Sequence, residues 1–273
     1  MALSVEDLKL KLVEGDIPID RYSFEELWEV NGNKVYGLTI TGDDAIAIWE
    51  KLHKLVTDTG YYPVILGDRS EAIQNHSDEI EQRSSSAIVK KLLEEAENID
   101  SDEWFVDEAR EMREDSEDDD DCWIEGKEFP DDRNEMDRDI LEEIEYWHET
   151  FEKEPEYTIP SSDRTLISLL PTTTSCETFA FLQFGGWNDC PAPEENISIA
   201  KRWYKLYGAE VVGISNDVVE MRVSKPPLNA EAAFRLAQEQ YIYCNDIIDQ
   251  GVGSLTKLAV NLYANKIWFF WWD

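Results

Sequence analysis

The chain is poor in the residues that most enzyme chemistry relies on. Its 273 residues include three histidines, His53, His76 and His148, so the usual means of proton transfer and metal ligation are scarce. Four cysteines stand at Cys122, Cys176, Cys190 and Cys244 with no CxxC among them. That spacing fits neither a zinc knuckle nor a disulfide-rich secreted fold. No apolar run approaches the roughly 18 residues of a membrane span, and the start of the chain has neither a basic stretch nor a hydrophobic signal core. Secretion by that route and membrane insertion are therefore not expected, and a cytoplasmic location is. A P-loop and a dinucleotide-binding glycine signature are both missing, so Gly251-Val252-Gly253-Ser254 reads as a turn.

Positive charge is scarce as well. Sixty Asp and Glu face 25 Lys and Arg, giving a formal net charge of −35. Such a surface repels nucleic acid and anionic membranes, which leaves a basic protein as the expected partner. With 42% hydrophobic residues, including ten Trp, eleven Tyr and ten Phe, the chain can still form a real core.

The charge is concentrated. Residues 100–157 hold 27 acids and 6 bases, a net of −21, whereas 161–273 hold 13 acids and 9 bases, a net of −4. Disorder is the default at such charge density, yet Trp104, Phe105, Trp123, Ile140, Ile144 and Trp147 interrupt the acids. Met136, Ile140, Ile144, Trp147 and Phe151 fall on one helical face, which predicts a helix over Glu135–Glu152 packed by that face. Residues 114–121 are expected to form a loop.

Elsewhere the pattern predicts an α+β fold, a mixed sheet with amphipathic helices and an acidic, partly helical central insertion. Strands are expected at 35–41, Tyr61–Leu66, Thr165–Leu170, Phe179–Phe184, Val211–Ile214, Val218–Val223 and from Ile267 to the end. Helices are expected at Val5–Val13, Ala45–Val56, Asp78–Ala96, from Pro191–Glu195 to Tyr207, Glu231–Ile242 and Leu255–Tyr263. Gly208 and Asn229 supply cap chemistry. The divisions that follow are 1–99, an acidic 100–157 and 161–273. A loose β–α–β recurrence at 35–66 and 179–214 fits either duplication or ordinary α/β construction.

A family resemblance enters through Gly185-Gly186-Trp187-Asn188, the helix end Trp203 to Tyr207-Gly208-Ala209, and Ser224-Lys225-Pro226-Pro227. It continues through Glu239 to Asp246, Gln250-Gly251-Val252-Gly253 and, most specifically, Phe270-Trp271-Trp272-Asp273. Across about 165–273 the chain resembles the family called domain of unknown function 4253 (DUF4253). Relatives often carry Pro where Asn245 stands, and a His where Gln240 stands. The resemblance implies a domain and no reaction.

For chemistry, Asp246 and Asp249 are spaced i, i+3, with Glu239 as a third candidate catalytic carboxylate. Paired carboxylates in different environments divide acid and base roles, or hold a hard cation. Helix capping is the commoner use of such residues before a Gly-rich turn. A candidate pocket gathers Trp187, Asn188, Cys190, Cys244, Asn245, Asp246, Gln250, Trp271, Trp272 and Asp273. Strand alternation sends Trp271 and Trp272 to opposite faces, and buried packing or a thiol pair close in space is the commoner role for Cys190 and Cys244.

The leading expectation is a protein-interaction protein, immunity-like, that neutralises a basic or nucleic-acid-processing partner. Asp118, Asp119, Asp120, Asp121, Glu142, Glu143 and Glu145 would steer association, and Trp123 or Trp147 would anchor it. The alternatives are a carboxylate-based or metal-assisted small-molecule hydrolase and a purely structural domain. On the leading view the chain is not an enzyme, has no direct contact with nucleic acid or membrane, and needs neither cofactor nor resident metal; the sequence names no small-molecule ligand.

Overall fold

The computed structural model describes residues 3–30, 32–73, 87–117, 138–150, 156–161 and 163–273. Among them the apolar runs form one seven-stranded sheet. Its strands are β1 (Ser23–Val30), β2 (Asn33–Ile40), β3 (Tyr62–Asp68), β4 (Thr165–Leu170), β5 (Ala209–Ile214), β6 (Val218–Val223) and β7 (Ile267–Trp271). The spatial order is β1-β2-β4-β3-β5-β6-β7. The β3–β5 contact is parallel, with Ile65 opposite Gly213, and every other pair is antiparallel. The fold is thus mixed α+β.

β4 sits between β2 and β3, so the sheet runs continuously through both ends of the chain. All six β4 residues are buried. Both faces of β4 are covered, which is why apolar residues stand at successive positions of Thr165–Leu170 rather than alternating.

The helices follow from their caps. Pro193 opens the Pro193–Tyr207 helix, and the Glu195 carboxylate accepts from the Ala192 backbone N–H at 2.7 Å. Gly208 closes it at φ +60°, where an added Cβ would meet Ser224 Oγ at 2.0 Å. Asn229 caps Ala230–Tyr243 by accepting from Ala232 N at 2.8 Å.

These two helices bury their aromatic faces against β7. Trp203 stacks on Phe270 at 5.4 Å and meets Trp268 and Tyr243 edge to face at 5.5 and 4.9 Å. All four rings are buried, and such pairs add about 0.5–1.5 kcal/mol each beyond burial. The other sheet face is covered in part by Ala45–Lys54, whose Trp49 indole donates to the Pro63 carbonyl at 2.9 Å.

Several expectations are corrected. Phe179–Phe184 is not a strand: Thr178–Leu182 is a short buried helix that ends at Gln183 with φ +50°. The second β–α–β unit therefore lacks its first strand, and the repeat dissolves. Ser101–Glu117 is helical, so residues 114–117 of the expected loop are helix, and 118–121 lie outside the described residues. Of Asp78–Ala96, Ile88–Ala96 is helical and 78–86 lie outside the described residues. β1 was not expected at all.

Candidate functional site

Three stretches far apart in sequence meet at the end of the chain. The Gly185–Pro191 loop turns back on itself, with Gly186 N donating to the Cys190 and Pro191 carbonyls at 3.2 and 3.0 Å. Gly185 holds φ +112°, and an added Cβ would lie 2.1 Å from Pro191 O, so only glycine fits. Asn188 lies at φ +46° and donates its amide to the Asp273 carbonyl at 2.6 Å. From the third stretch, Asp246 accepts from Asp273 N at 2.9 Å and from the Gln250 amide at 2.8 Å. The Cys244 thiol donates to Trp271 O at 2.9 Å, and Asn245 reaches Asp189 at 3.5 Å.

Trp272 is buried and packs against Phe184 and Trp187 at 5.9 and 6.3 Å, whereas Trp271 lies on the other face and donates to Asp217 at 3.1 Å. These contacts link Trp187, Asn188, Cys244, Asn245, Asp246, Gln250, Trp272 and Asp273, while the Trp271 side chain lies apart from them, and a π-helical turn, Ile247–Val252, carries Asp249 and Gln250. Such turns recur at functional sites.

The three candidate carboxylates do not converge on one point. Asp246 has one donor on each oxygen, and Asp249 is exposed and accepts from the Tyr241 hydroxyl at 3.1 Å. Glu239 lies elsewhere, accepting from Arg202 at 2.7 Å and from the Trp203 indole at 3.1 Å. Burial pushes the Cys244 thiol up to about 12 and the Cys190 thiol higher than its ordinary value, so neither is a thiolate at neutral pH. Among the described residues no three His, Cys, Asp or Glu gather to hold a metal ion.

A polar constellation not expected from sequence lies on the opposite sheet face. His53 comes from the Ala45–Lys54 helix and meets Glu210 at 3.0 Å, 157 positions away. Arg222 bridges to Glu210 at 2.7 Å and lies over the Trp49 ring at 4.7 Å. Burial raises the Glu210 carboxyl, but hydrogen bonds from His53 and Arg222 outweigh it and hold the group below its ordinary value. Next to it, Glu220 is fully buried and accepts from Thr158 N and Oγ1 at 2.5 and 2.8 Å. Burial dominates there and raises its carboxyl.

Asp118, Asp119, Asp120, Asp121 and Trp123 lie outside the described residues. The Arg138–Thr150 helix is described, and Ile144 fixes it to the protein with no exposed surface. Glu145 is committed within the chain, accepting from Tyr263 OH at 3.2 Å and Ala230 N at 3.2 Å. His148 stacks on Tyr263 at 3.8 Å. The packed face therefore runs Ile140–Ile144–His148, and Trp147, expected on it, is instead 48% exposed beside Tyr146 at 61%. Glu142 and Glu143 are exposed.

Between this helix, Leu255–Leu262 and β7 runs a cleft of about 540 Å³, within the usual range for ligand sites. Asp246, Gln240, Trp268, Phe269 and Trp271 are among its lining residues. Gln240 and Trp268 are 1% exposed, and Gln240 Nε2 and Trp268 Nε1 have no hydrogen-bond partner among the described residues.

Residues 166–273 match the family described as Domain of unknown function (DUF4253), so the C-terminal region is of that family. No curated protein and no solved structure matches the chain. Among the described residues no helix is long and apolar enough to cross a membrane.

Proposed function

We propose that the chain is a cytoplasmic protein-interaction protein that neutralises a basic, nucleic-acid-processing partner by covering its functional surface. The observation that carries this is the outer side of the Arg138–Thr150 helix. Tyr146 and Trp147 stand edge to face at 5.4 Å, 61% and 48% exposed, beside exposed Glu142 and Glu143. The helix is held from behind by Ile144 and Glu145, so the aromatic pair is presented on a fixed support.

Aromatic side chains supply much of the energy at protein interfaces, and carboxylates around them steer a cationic partner and reject anionic ones. The net −21 of residues 100–157, within a chain of net −35, adds longer-range steering from the same stretch. Asp118–Asp121 and Trp123 belong to the same acidic stretch and add to the proposed surface. The buried free thiols at Cys176, Cys190 and Cys244 accord with a reducing compartment.

Affinity capture from the producing cell tests the proposal. The parent chain should retain a basic protein at low ionic strength and release it as salt rises. Replacing Tyr146 and Trp147 by Ser, with Glu142→Gln and Glu143→Gln, should abolish retention while the melting profile stays unchanged. Retention of no basic protein, or equal retention by the variant, would rule the function out.

A further inference from the structure

β7 is the last strand of the sheet, and among the described residues no strand flanks its outer side. Its register shows which backbone groups are left over. Val223 N donates to Lys266 O at 2.7 Å, and Trp272 N donates to Asp217 O at 3.1 Å. Antiparallel alternation then gives residues 266, 268, 270 and 272 to β6 and turns the amides and carbonyls of Ile267, Phe269 and Trp271 outward.

Part of that edge is already occupied. Asn265 Oδ1 takes Ile267 N at 2.9 Å, Cys244 donates to Trp271 O, and Asp246 takes Asp273 N. The Ile267 carbonyl, both backbone groups of Phe269 and the Trp271 N–H remain without a partner among the described residues. They face the cleft beside β7, which Ile267, Phe269 and Trp271 line. Phe269 itself is 43% exposed. An open apolar edge of this kind is a site for strand pairing, and folded proteins ordinarily blunt it.

Charge decides what pairs there. Glu156 and Asp246 line the cleft, and no lysine or arginine does among the described residues. A second copy of the chain would bring the same acidic lining and a like net charge of −35 overall, which opposes edge-to-edge association. His148 and Tyr263 also line the cleft, so it is continuous with the helix that presents Tyr146 and Trp147.

We infer that the β7 edge binds an extended segment of a basic partner protein by strand addition. The segment's backbone pairs with Phe269, its apolar side chains enter the cleft and its basic side chains meet Glu156 and Asp246. This rests on the interaction function proposed above only in taking the partner to be a basic protein.

The test uses the full chain and a blocked heptapeptide of alternating lysine and valine, with its fully N-methylated counterpart carrying the same charges and no amide hydrogens. Titration calorimetry should show saturable binding of the first peptide, and binding about tenfold or more weaker for the second. Because the Phe269 N–H faces away from β6, Phe269→Pro removes an outward donor and no sheet hydrogen bond. It should weaken the first peptide by a similar factor, while Phe269→Val should not, and Glu156→Gln should weaken it severalfold.

Equal binding of both peptides, or no saturable binding, overturns the inference whether or not the proline variant folds. A concentration-dependent dimer by sedimentation that Phe269→Pro dissolves overturns it in favour of a second copy. Peptide binding that passes these controls, in a protein that captures no basic partner from the cell, keeps the strand-addition site and removes the cellular function proposed for it.

Discussion

The side-chain amide of Asn188 donates to the backbone carbonyl of Asp273, 85 positions later, at 2.6 Å. The donor belongs to a residue in the left-handed region, φ +46°, where Asn is tolerated better than most side chains. One residue thus shapes the Gly185–Pro191 loop and ties it to the end of the chain.

Two substitutions separate those contributions. Asn188→Gly keeps the backbone conformation and loses the tether, for about 0.5–1.5 kcal/mol. Asn188→Ala loses the tether and adds the cost of a left-handed alanine, about 1 kcal/mol more. Urea unfolding of both variants checks the order; equal losses would show that the conformation is not under strain.

Trp203 joins two helices and β7 through its contacts with Tyr243, Trp268 and Phe270. Trp203→Ala should cost about 3–5 kcal/mol, because a buried indole is lost and the neighbouring rings cannot close the gap. It also leaves Glu239 without the indole N–H. Chemical denaturation measures the loss, and a cost below about 1 kcal/mol would mean that the cluster repacks.

Glu220 and Glu210 should titrate on opposite sides of the ordinary glutamate value. Burial outweighs the Thr158 and Ile159 donors at Glu220 and raises it, whereas His53 and Arg222 outweigh burial at Glu210 and lower it. A raised folded value means stability that is full below the unfolded value and lost as pH rises through the folded one. Glu220→Gln should therefore gain on the parent as pH climbs through that window. Glu210 behaves oppositely, its contribution being present above the unfolded value and lost as pH falls through the folded one. Carbon-13 NMR of the two carboxyls checks this, with midpoints in the reverse order refuting it.

Residues 161–273 on their own should not form a stable fold. β4 pairs with β2 and β3, and its link to β5 runs through β3, so the fragment leaves β4 with neither neighbour. Circular dichroism and two-dimensional NMR of the isolated fragment check this; a cooperative melt would show that β4 finds another partner.

Much of the fold was legible because local chemistry and tertiary environment agree. The Pro193–Tyr207 helix carries its own start and stop, and β7 announces itself by five aromatic or β-branched residues. β1 was hidden because acids punctuate it and a register shift between Glu26 and Trp28 breaks its alternation. Phe179–Phe184 misled because a short continuous apolar run fits a buried helix as well as a strand.

At the site, the resemblance drew together Asn188, Cys244, Asp246 and Asp273, which the structure joins by hydrogen bonds. The pairing of His53 with Glu210 carried no local signal, since the two lie on a helix and a strand that only the completed sheet brings together. Trp147 was placed by heptad-like spacing. A stripe through His148 satisfies the same face equally well, and the stack on Tyr263 chose it.

The place of β4 has a consequence for synthesis. β1 and β2 leave the ribosome first and form a hairpin, and β3 follows, yet β2 and β3 are not neighbours in the finished sheet. The slot between them stays vacant until residue 170 has emerged, and the β5–β6–β7 half cannot dock until β3 is seated. Assembly is therefore non-local and late, which slows folding and leaves strand edges open to wrong partners meanwhile. The stretch made during that wait, residues 100–157, carries a net −21, and nascent chains bearing such charge repel one another.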